Sequence, residues 1–333
     1  ISIRLVGSEM CIRDSNKVWA AGVSGGLWSI TNIENASSEW TKVSDFWDTL
    51  NITSVATDPT DANIIYIGTG EKRGMGLKGF GVWKTSDGGS TWNQLSSSTG
   101  FKWIDTIIVR DEGGVGAVYV GGGRSLSEGE YTGINGLQKS TDGGATWTEV
   151  LGEIAAGSSH HVTDLEIDSN NRLIVGTRTN TFGDGGGQIF YSDDGAVFSP
   201  YTIGALGQFD RTFVDVSPSD PNVLYAMFEN ASTGYITWLG KSEDGGLTWT
   251  QKSIGLDENG NPFGDYQGSM DYWGFLGVDP NDTNTIYAAG AQSIHKSTDS
   301  GETWTEISEW RGTGFSLPYV HACLLYTLTL PTT

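Results

Sequence analysis

Val82-Trp-Lys-Thr-Ser-Asp-Gly-Gly-Ser-Thr-Trp92 is one of a set of near-copies within the chain. Leu137-Gln-Lys-Ser-Thr-Asp-Gly-Gly-Ala-Thr-Trp147, Leu239-Gly-Lys-Ser-Glu-Asp-Gly-Gly-Leu-Thr-Trp249 and Ile294-His-Lys-Ser-Thr-Asp-Ser-Gly-Glu-Thr-Trp304 repeat it almost without gaps. Ile189-Phe-Tyr-Ser-Asp-Asp-Gly-Ala-Val-Phe198 is a shortened copy, and Leu27-Trp-Ser-Ile-Thr31 leading to Trp40 a degenerate one. The closing aromatics stand at 40, 92, 147, 198, 249 and 304, at spacings of 52, 55, 51, 51 and 55 residues. A period of about fifty residues marks a repeat architecture in which each unit buries its apolar face on its neighbours.

A second motif interleaves with the first. Asp58-Pro-Thr-Asp-Ala-Asn-Ile-Ile-Tyr66 returns as Ser217-Pro-Ser-Asp-Pro-Asn-Val-Leu-Tyr225 and Asp279-Pro-Asn-Asp-Thr-Asn-Thr-Ile-Tyr287. Short apolar segments flank each of these Pro/Asp turns, so a unit reads strand, turn, strand, loop, strand, Asp turn, strand. Four short antiparallel strands per unit predict an all-β propeller. The spacing predicts about six blades between residues 16 and 322, the first lacking its opening strand, with a further strand starting beyond Trp310 and seven or more blades in the complete protein.

The Ser/Thr-x-Asp-x-Gly-x-Thr-Trp pattern resembles the Asp-box, or BNR-repeat, propellers, a superfamily that includes sialidases, xyloglucanase-type glycosidases and sortilin-like domains. The likeness is greatest to secreted bacterial Asp-box repeat proteins of unassigned activity, through Val18-Trp-Ala-Ala-Gly-Val-Ser-Gly-Gly-Leu-Trp28, Gly68-Thr-Gly-Glu71 and Tyr319-Val-His-Ala322. The resemblance implies a fold more than an activity, because one architecture carries many functions. It also implies secretion or display at the cell surface.

The repeated aspartates read as structural. Asp87, Asp142, Asp194, Asp244 and Asp299 each sit in a turn where a carboxylate accepts backbone N–H bonds, and the Ser or Thr two residues before does the same. Trp92, Trp147, Phe198, Trp249 and Trp304 then return to the sheet and pack between blades. A reaction needs one constellation, whereas a fold repeats its turns.

Site candidates come from the loops that enter each opening strand, because in a propeller these meet the central channel at one end. They are Phe46, Trp47 and Asp48; Phe101, Trp103 and Asp105; His160, His161, Asp164 and Glu166; Phe209, Asp210 and Arg211; Asp271, Tyr272 and Trp273; and Tyr319 and His321. Aromatic rings beside carboxylates suit carbohydrate. In His160-His-x-x-Asp-x-Glu166 the two carboxylates project to one side of a strand, a pattern that also suits a divalent ion, but further ligands are missing and no metal or other cofactor is expected.

The sequence has 333 residues, 48 Gly, 13 Trp and a formal charge of −21. Such negative charge disfavours nucleic acid and anionic membranes as partners, and no stretch approaches the ~18 apolar residues of a membrane span. A monomer is expected. Residues 1–15 and 323–333 share nothing with the repeats and look like translated sequencing adapter. Cys11 and Cys323 lie in these segments, so no disulfide is inferred.

For function, the resemblance offers two routes. Xyloglucanase-type relatives carry an acidic residue in a first-blade stretch like Val18–Trp28; here that stretch has no Asp or Glu, and the position falls at Val23. Sialidases need an arginine triad and an Arg-Ile-Pro segment, which is absent. The expectation is therefore a recognition or scaffold propeller within a larger secreted or cell-surface bacterial protein, binding glycan or an extracellular protein through its channel face. A xyloglucanase-like glycoside hydrolase is the alternative.

Overall fold

The structure is a computed structural model. It describes residues 9–309 except 15–16, 23–24, 33–34, 36, 46, 72–76, 128–129, 204–208, 258, 264–273 and 291–292; at 9–14, 126–127, 130–131 and 308–309 it describes the backbone alone. The described chain is all-β apart from one short 3-10 turn at Ser96–Ser98.

Among the described residues six four-stranded antiparallel blades follow one another in chain order. The first comprises Glu9–Asp14, Lys17–Gly22, Gly26–Thr31 and Thr41–Lys42, the second Ile52–Asp58, Asp61–Thr69, Val82–Thr85 and Asn93–Gln94. The third comprises Ile104–Asp111, Gly116–Gly122, Leu137–Ser140 and Thr148–Glu149, the fourth His161–Ile167, Leu173–Arg178, Ile189–Ser192 and Ser199–Pro200. The fifth is Phe209–Val216, Leu224–Asn230, Ile236–Ser242 and Thr250–Gln251, and the sixth Phe275–Asp279, Asp282–Ala289, Ser293–Ser297 and Thr305–Glu309. Opening strands of successive blades pack on one another throughout, which places them around the central axis. One feature departs from the sequence expectation: Glu9–Asp14 pairs with Lys17–Gly22 as an opening strand of the first blade.

The core is divided into slabs between neighbouring blades. Trp19, Leu27, Val55 and Ile67 join the first blade to the second, and Ala56, Tyr66, Ile107 and Val118 the second to the third. Tyr119, Leu165 and Val175 fill the third slab, Ile174, Val214 and Phe228 the fourth, Phe213, Tyr225 and Leu276 the fifth. Trp92, Trp147, Phe198, Trp249 and Trp304 each pack on the slab in front of their own blade, so five aromatic rings fill equivalent sites. Trp40 does not: it is 42% exposed. The ring that closes a blade is covered by the blade before it, and no described blade precedes the first.

The Asp turns explain the tightness of these slabs. Asp142 accepts from Thr146 N (2.9 Å), Thr146 Oγ1 (2.6 Å) and Ser140 Oγ (2.8 Å), while Ser140 Oγ accepts from Gly144 N (2.8 Å). Asp87, Asp244 and Asp299 repeat the pattern. Asp194, with no threonine in its turn, accepts from Ala196 N and Val197 N instead. Gly144 has φ +91°, and a Cβ there would lie 2.3 Å from Leu95 Cδ1 of the preceding blade. Only glycine allows both the left-handed turn and so close an approach.

Alternation of strand direction sorts the loops onto two faces. The Pro/Asp and Asp turns share one face. The other carries the starts of the opening strands, the ends of the second strands and the second-to-third loops; it is the channel face named in the sequence reading.

Candidate functional site

Polar groups on the channel face converge where the third, fourth and fifth blades meet. The opening strand of each blade begins with them: Asp105, then His161, then Asp210 and Arg211. Leu173–Arg178 ends beside Phe209–Val216, with Arg178 paired in register to Arg211. That single bridge joins two blades into one sheet and brings two guanidinium groups together.

Opposite charges offset the resulting repulsion. Arg178 donates to Asp210, and Thr179 N donates to the Asp210 carbonyl at 2.7 Å. His161 Nε2 lies 2.6 Å from Asp105 Oδ2, tying the fourth blade to the third. Arg211 is 2% exposed and stacks over its own blade's Phe213 at 4.5 Å. Burial, with the adjacent Arg178 charge, lowers its guanidinium to about 10, while Asp105, Glu229 and Asp164 counteract this electrostatically. It stays charged at neutral pH. Burial raises Asp210, yet the charge and hydrogen bond of Arg178 prevail and hold its carboxyl below the ordinary range. Asp105 and Asp210 remain 24% and 21% exposed, so both carboxylates reach solvent from an otherwise buried network.

Deeper along the axis, carboxylates bind neighbouring strands. Asp164 Oδ2 accepts from Val214 N (2.9 Å), and Asp215 Oδ2 from Val278 N (2.6 Å). The former is equivalent to Ser54 Oγ accepting from Ile107 N at 2.8 Å.

Two exposed rings stand on the same face in second-to-third loops: Phe80, 37% exposed, and Phe182, 43% exposed. Lys102 Nζ lies 5.6 Å from the Phe80 centroid and the Arg124 guanidinium 6.0 Å from that of Phe182. Hydrogen bonds hold both loops: Gly79 N donates to the Lys102 carbonyl, and Phe182 N to the Asn180 side-chain Oδ1.

The sequence-derived candidates divide accordingly. His161, Asp164, Arg211, Asp105 and Asp210 come together or line the axis. His160 turns away, its ring edge-on to Phe190 at 4.9 Å, and burial lowers its pKa. Trp47 stacks on Trp83 at 4.4 Å and 3°, and Trp103 is 4% exposed; packing between blades takes up both rings, contrary to the expectation of channel-facing aromatics. Glu166 is half-buried on its strand. Phe46, Asp271, Tyr272, Trp273, Tyr319 and His321 lie outside the described residues. Among the described residues no group of three or more His, Cys, Asp and Glu converges on a metal position. Sequence reasoning passed over Arg178, Glu229, Phe80 and Phe182. The first two end second strands, and the register to the opening strand would have found them.

No protein-family model matches the chain. The chain is 27% identical over 326 residues to a xyloglucanase of Hypocrea jecorina, covering 86% of this chain and 36% of that protein. It is 25% identical over 309 residues to a xyloglucanase of Paenibacillus sp., covering 83% and 29% respectively. The chain thus spans about a third of the length of these relatives. Among solved structures it resembles the GH74 enzyme of Niastella koreensis (TM-score 0.55, 20% identity, 91% of this chain and 54% of that one) and YCF48 from Cyanidioschyzon merolae (TM-score 0.54, 13% identity, 92% and 87%). At such identities the structural likeness shows the fold alone, a β-propeller. The sequence relatives are named as enzymes, and this overturns the expectation of a non-catalytic recognition scaffold. No described helix is long and apolar enough to cross a membrane.

Proposed function

We propose that the chain is part of a secreted glycoside hydrolase of the Asp-box propeller type, acting on a xyloglucan-like polysaccharide laid across its channel face. The observation that carries this reading is the similarity to xyloglucanases along 86% of the chain. The site is compatible in its chemistry. Glycosidic cleavage needs two carboxyl groups, one to give a proton and one ionised to activate water or attack the sugar. Asp105 and Asp210 are the two solvent-reaching carboxylates of the cluster. Asp210, held ionised by Arg178, takes the part of base or charge stabiliser, and Asp105, oriented by His161, is the second carboxyl that the reaction requires. Val23 stands where the relatives carry a first-blade acid, so in this reading the chemistry falls to the blade-three to blade-five cluster. Phe80 and Phe182 are platforms on which the apolar faces of sugar rings stack.

The test is release of reducing sugar from xyloglucan by the intact protein, compared with Asp105→Asn and Asp210→Asn. Loss of release in either variant, with folding unchanged by circular dichroism, supports the assignment. Full release by both variants removes these carboxylates from the reaction, and no release by the wild type overturns the activity.

A further inference from the structure

On the face opposite the cluster, a cavity of about 210 Å³ opens between the fourth and fifth blades. We propose that it is a second carbohydrate site, taking one pyranose ring of a polysaccharide outside the channel.

The cavity exists because the fourth blade breaks the repeat. At the third residue of the Asp-turn motif four blades carry lysine: Lys84, Lys139, Lys241 and Lys296. The fourth carries Tyr191. Three residues beyond the closing aromatic stand Leu95 and Val150 in the second and third blades, and Tyr201 in the fourth. The two tyrosines stack at 4.6 Å and 24°. Tyr201 lies so close to the fifth blade that a Cβ on Gly246 would meet its ring at 2.2 Å. Arg172 covers the other side of the pair, 5.0 Å from the Tyr191 centroid and bonded to Asp193 at 2.7 Å. The scaffold role of the missing lysine is thereby filled by Arg172, and Tyr201 packs on the slab as Leu95 and Val150 do on theirs, which leaves Tyr191 as the ring that the scaffold does not require. A local rule broken without structural need is where function is expected.

The lining selects the ligand class. A pyranose offers an apolar C–H face and a rim of hydroxyls that both donate and accept. Here the parts of Tyr191 and Tyr201 that line the cavity and the exposed Leu247 provide apolar surface, while Asn170, Asn222, Arg172, Asp168 and Asp244 supply amide, guanidinium and carboxylate groups around them. The volume is below the ~300 Å³ at which drug-sized pockets begin, and suits a single ring. Mixed donors and acceptors distinguish the site from a cation site, which requires oxygen ligands alone.

Isothermal titration of the intact protein with cellohexaose tests this, using Tyr191→Lys and Asn222→Ala. The first variant restores the residue that four other blades fold with, and the second removes one amide from an exposed turn. Both are expected to lose one class of site, or to bind there about tenfold more weakly, as loss of a lining apolar contact or one hydrogen bond predicts, with turnover of soluble substrate unchanged. Unaltered binding in Tyr191→Lys, or a cellohexaose-soaked crystal with no sugar between Tyr201 and Asn222, overturns the inference. The outcome is separable from the channel-face reading. Binding lost in Tyr191→Lys by a protein that never releases sugar sinks only the proposed hydrolase. Hydrolysis with Tyr191→Lys binding like wild type sinks only the second site.

Discussion

Lys17 and Arg172 occupy the same place in the first and fourth blades. Each lies on the second strand or its approach and reaches forward to a glycine carbonyl in the next blade's Asp turn: Lys17 Nζ to Gly88 at 2.8 Å, and Arg172 Nη1 to Gly245 at 3.5 Å. In the second, third and fifth blades the cation comes from the third strand instead. Lys84 Nζ reaches Gly143 O and Lys139 Nζ reaches Gly195 O, both at 3.3 Å, while Lys241 Nζ reaches Ser300 Oγ at 3.1 Å. Every one of these cations also lies within 6 Å of an aromatic ring in its own blade. Where the third-strand lysine is replaced, by Ser29 or Tyr191, the second-strand segment supplies the charge. The stitch between blades is preserved while its source moves.

The stitch has a measurable weight. Lys241 is buried and donates to Glu243, Asn284 and Ser300. Lys241→Met is expected to destabilise by about 2–3 kcal/mol, since three bonds from a buried charged donor are lost. Lys84→Met, at a half-buried position, is expected to cost about 1 kcal/mol for one hydrogen bond and one cation–π contact. Urea unfolding followed by tryptophan fluorescence measures both, and equal effects of the two would argue against the burial dependence.

Trp304 and Trp40 provide a contrast in packing. Trp304 packs on the fifth slab with its ring 4.9 Å from Phe263 and its Nε1–H donating to Ser253 O. Trp304→Ala is expected to cost about 3–5 kcal/mol by cavity formation. Trp40→Ala, at an exposed ring, is expected to stay within about 0.5 kcal/mol of wild type. Thermal melts of both variants decide whether the closing aromatics share one role.

These examples show what could be read from sequence and what could not. The Asp and Pro/Asp turns are local devices: Asp142 bonds to residues within four positions of itself, so spacing alone reveals them. Trp47 and Trp103 sit in loops, where ring direction depends on Trp83 and on neighbouring loops that no local pattern encodes. The lysine at the third motif position was visible in four copies, yet its acceptor lies one blade onward. Arg178 became a site residue only through its register with Arg211, more than thirty residues away.

The turn aspartates set the acid side of stability. Hydrogen bonds from Thr91 and Thr85 lower Asp87 from 3.8 to about 2, bonds from Val197 and Ala196 lower Asp194 to about 2, and bonds from Thr303 and Ser297 lower Asp299 to about 2. Carboxyls depressed in the folded state stabilise it above their unfolded pKa, and the benefit is lost as pH falls through the folded value. Unfolding midpoints are therefore expected to drop between about pH 4 and pH 2. A midpoint that is flat over this window would mean that the turn bonds do not distinguish folded from unfolded chain.

Phe80 and Phe182 are expected to act on substrate binding rather than on the chemical step. Phe80→Ala or Phe182→Ala removes a stacking surface used equally in ground and transition states, so KM rises, by up to about tenfold, with kcat retained. Steady-state kinetics on xyloglucan read the two parameters separately. A fall in kcat at constant KM would place these rings in the reaction instead.

Asp215 is expected to act in the opposite sense to the turn aspartates. Burial raises its carboxyl from 3.8 to about 7, with the Asp164 charge adding to the effect and the bonds from Val278 and Val216 opposing it. A folded pKa above the unfolded one means that the folded chain holds the proton more tightly. Its stabilising contribution is complete below about pH 4 and disappears as pH rises through about 7. The wild type should therefore lose stability from pH 5 to pH 8, and Asp215→Asn, neutral throughout, should lose much less. If the asparagine variant follows the wild-type slope across that window, the proton is taken up elsewhere. Asp164 is then the next carboxyl to replace, because its charge acts on Asp215 and it likewise accepts a backbone bond from the next blade, at Val214.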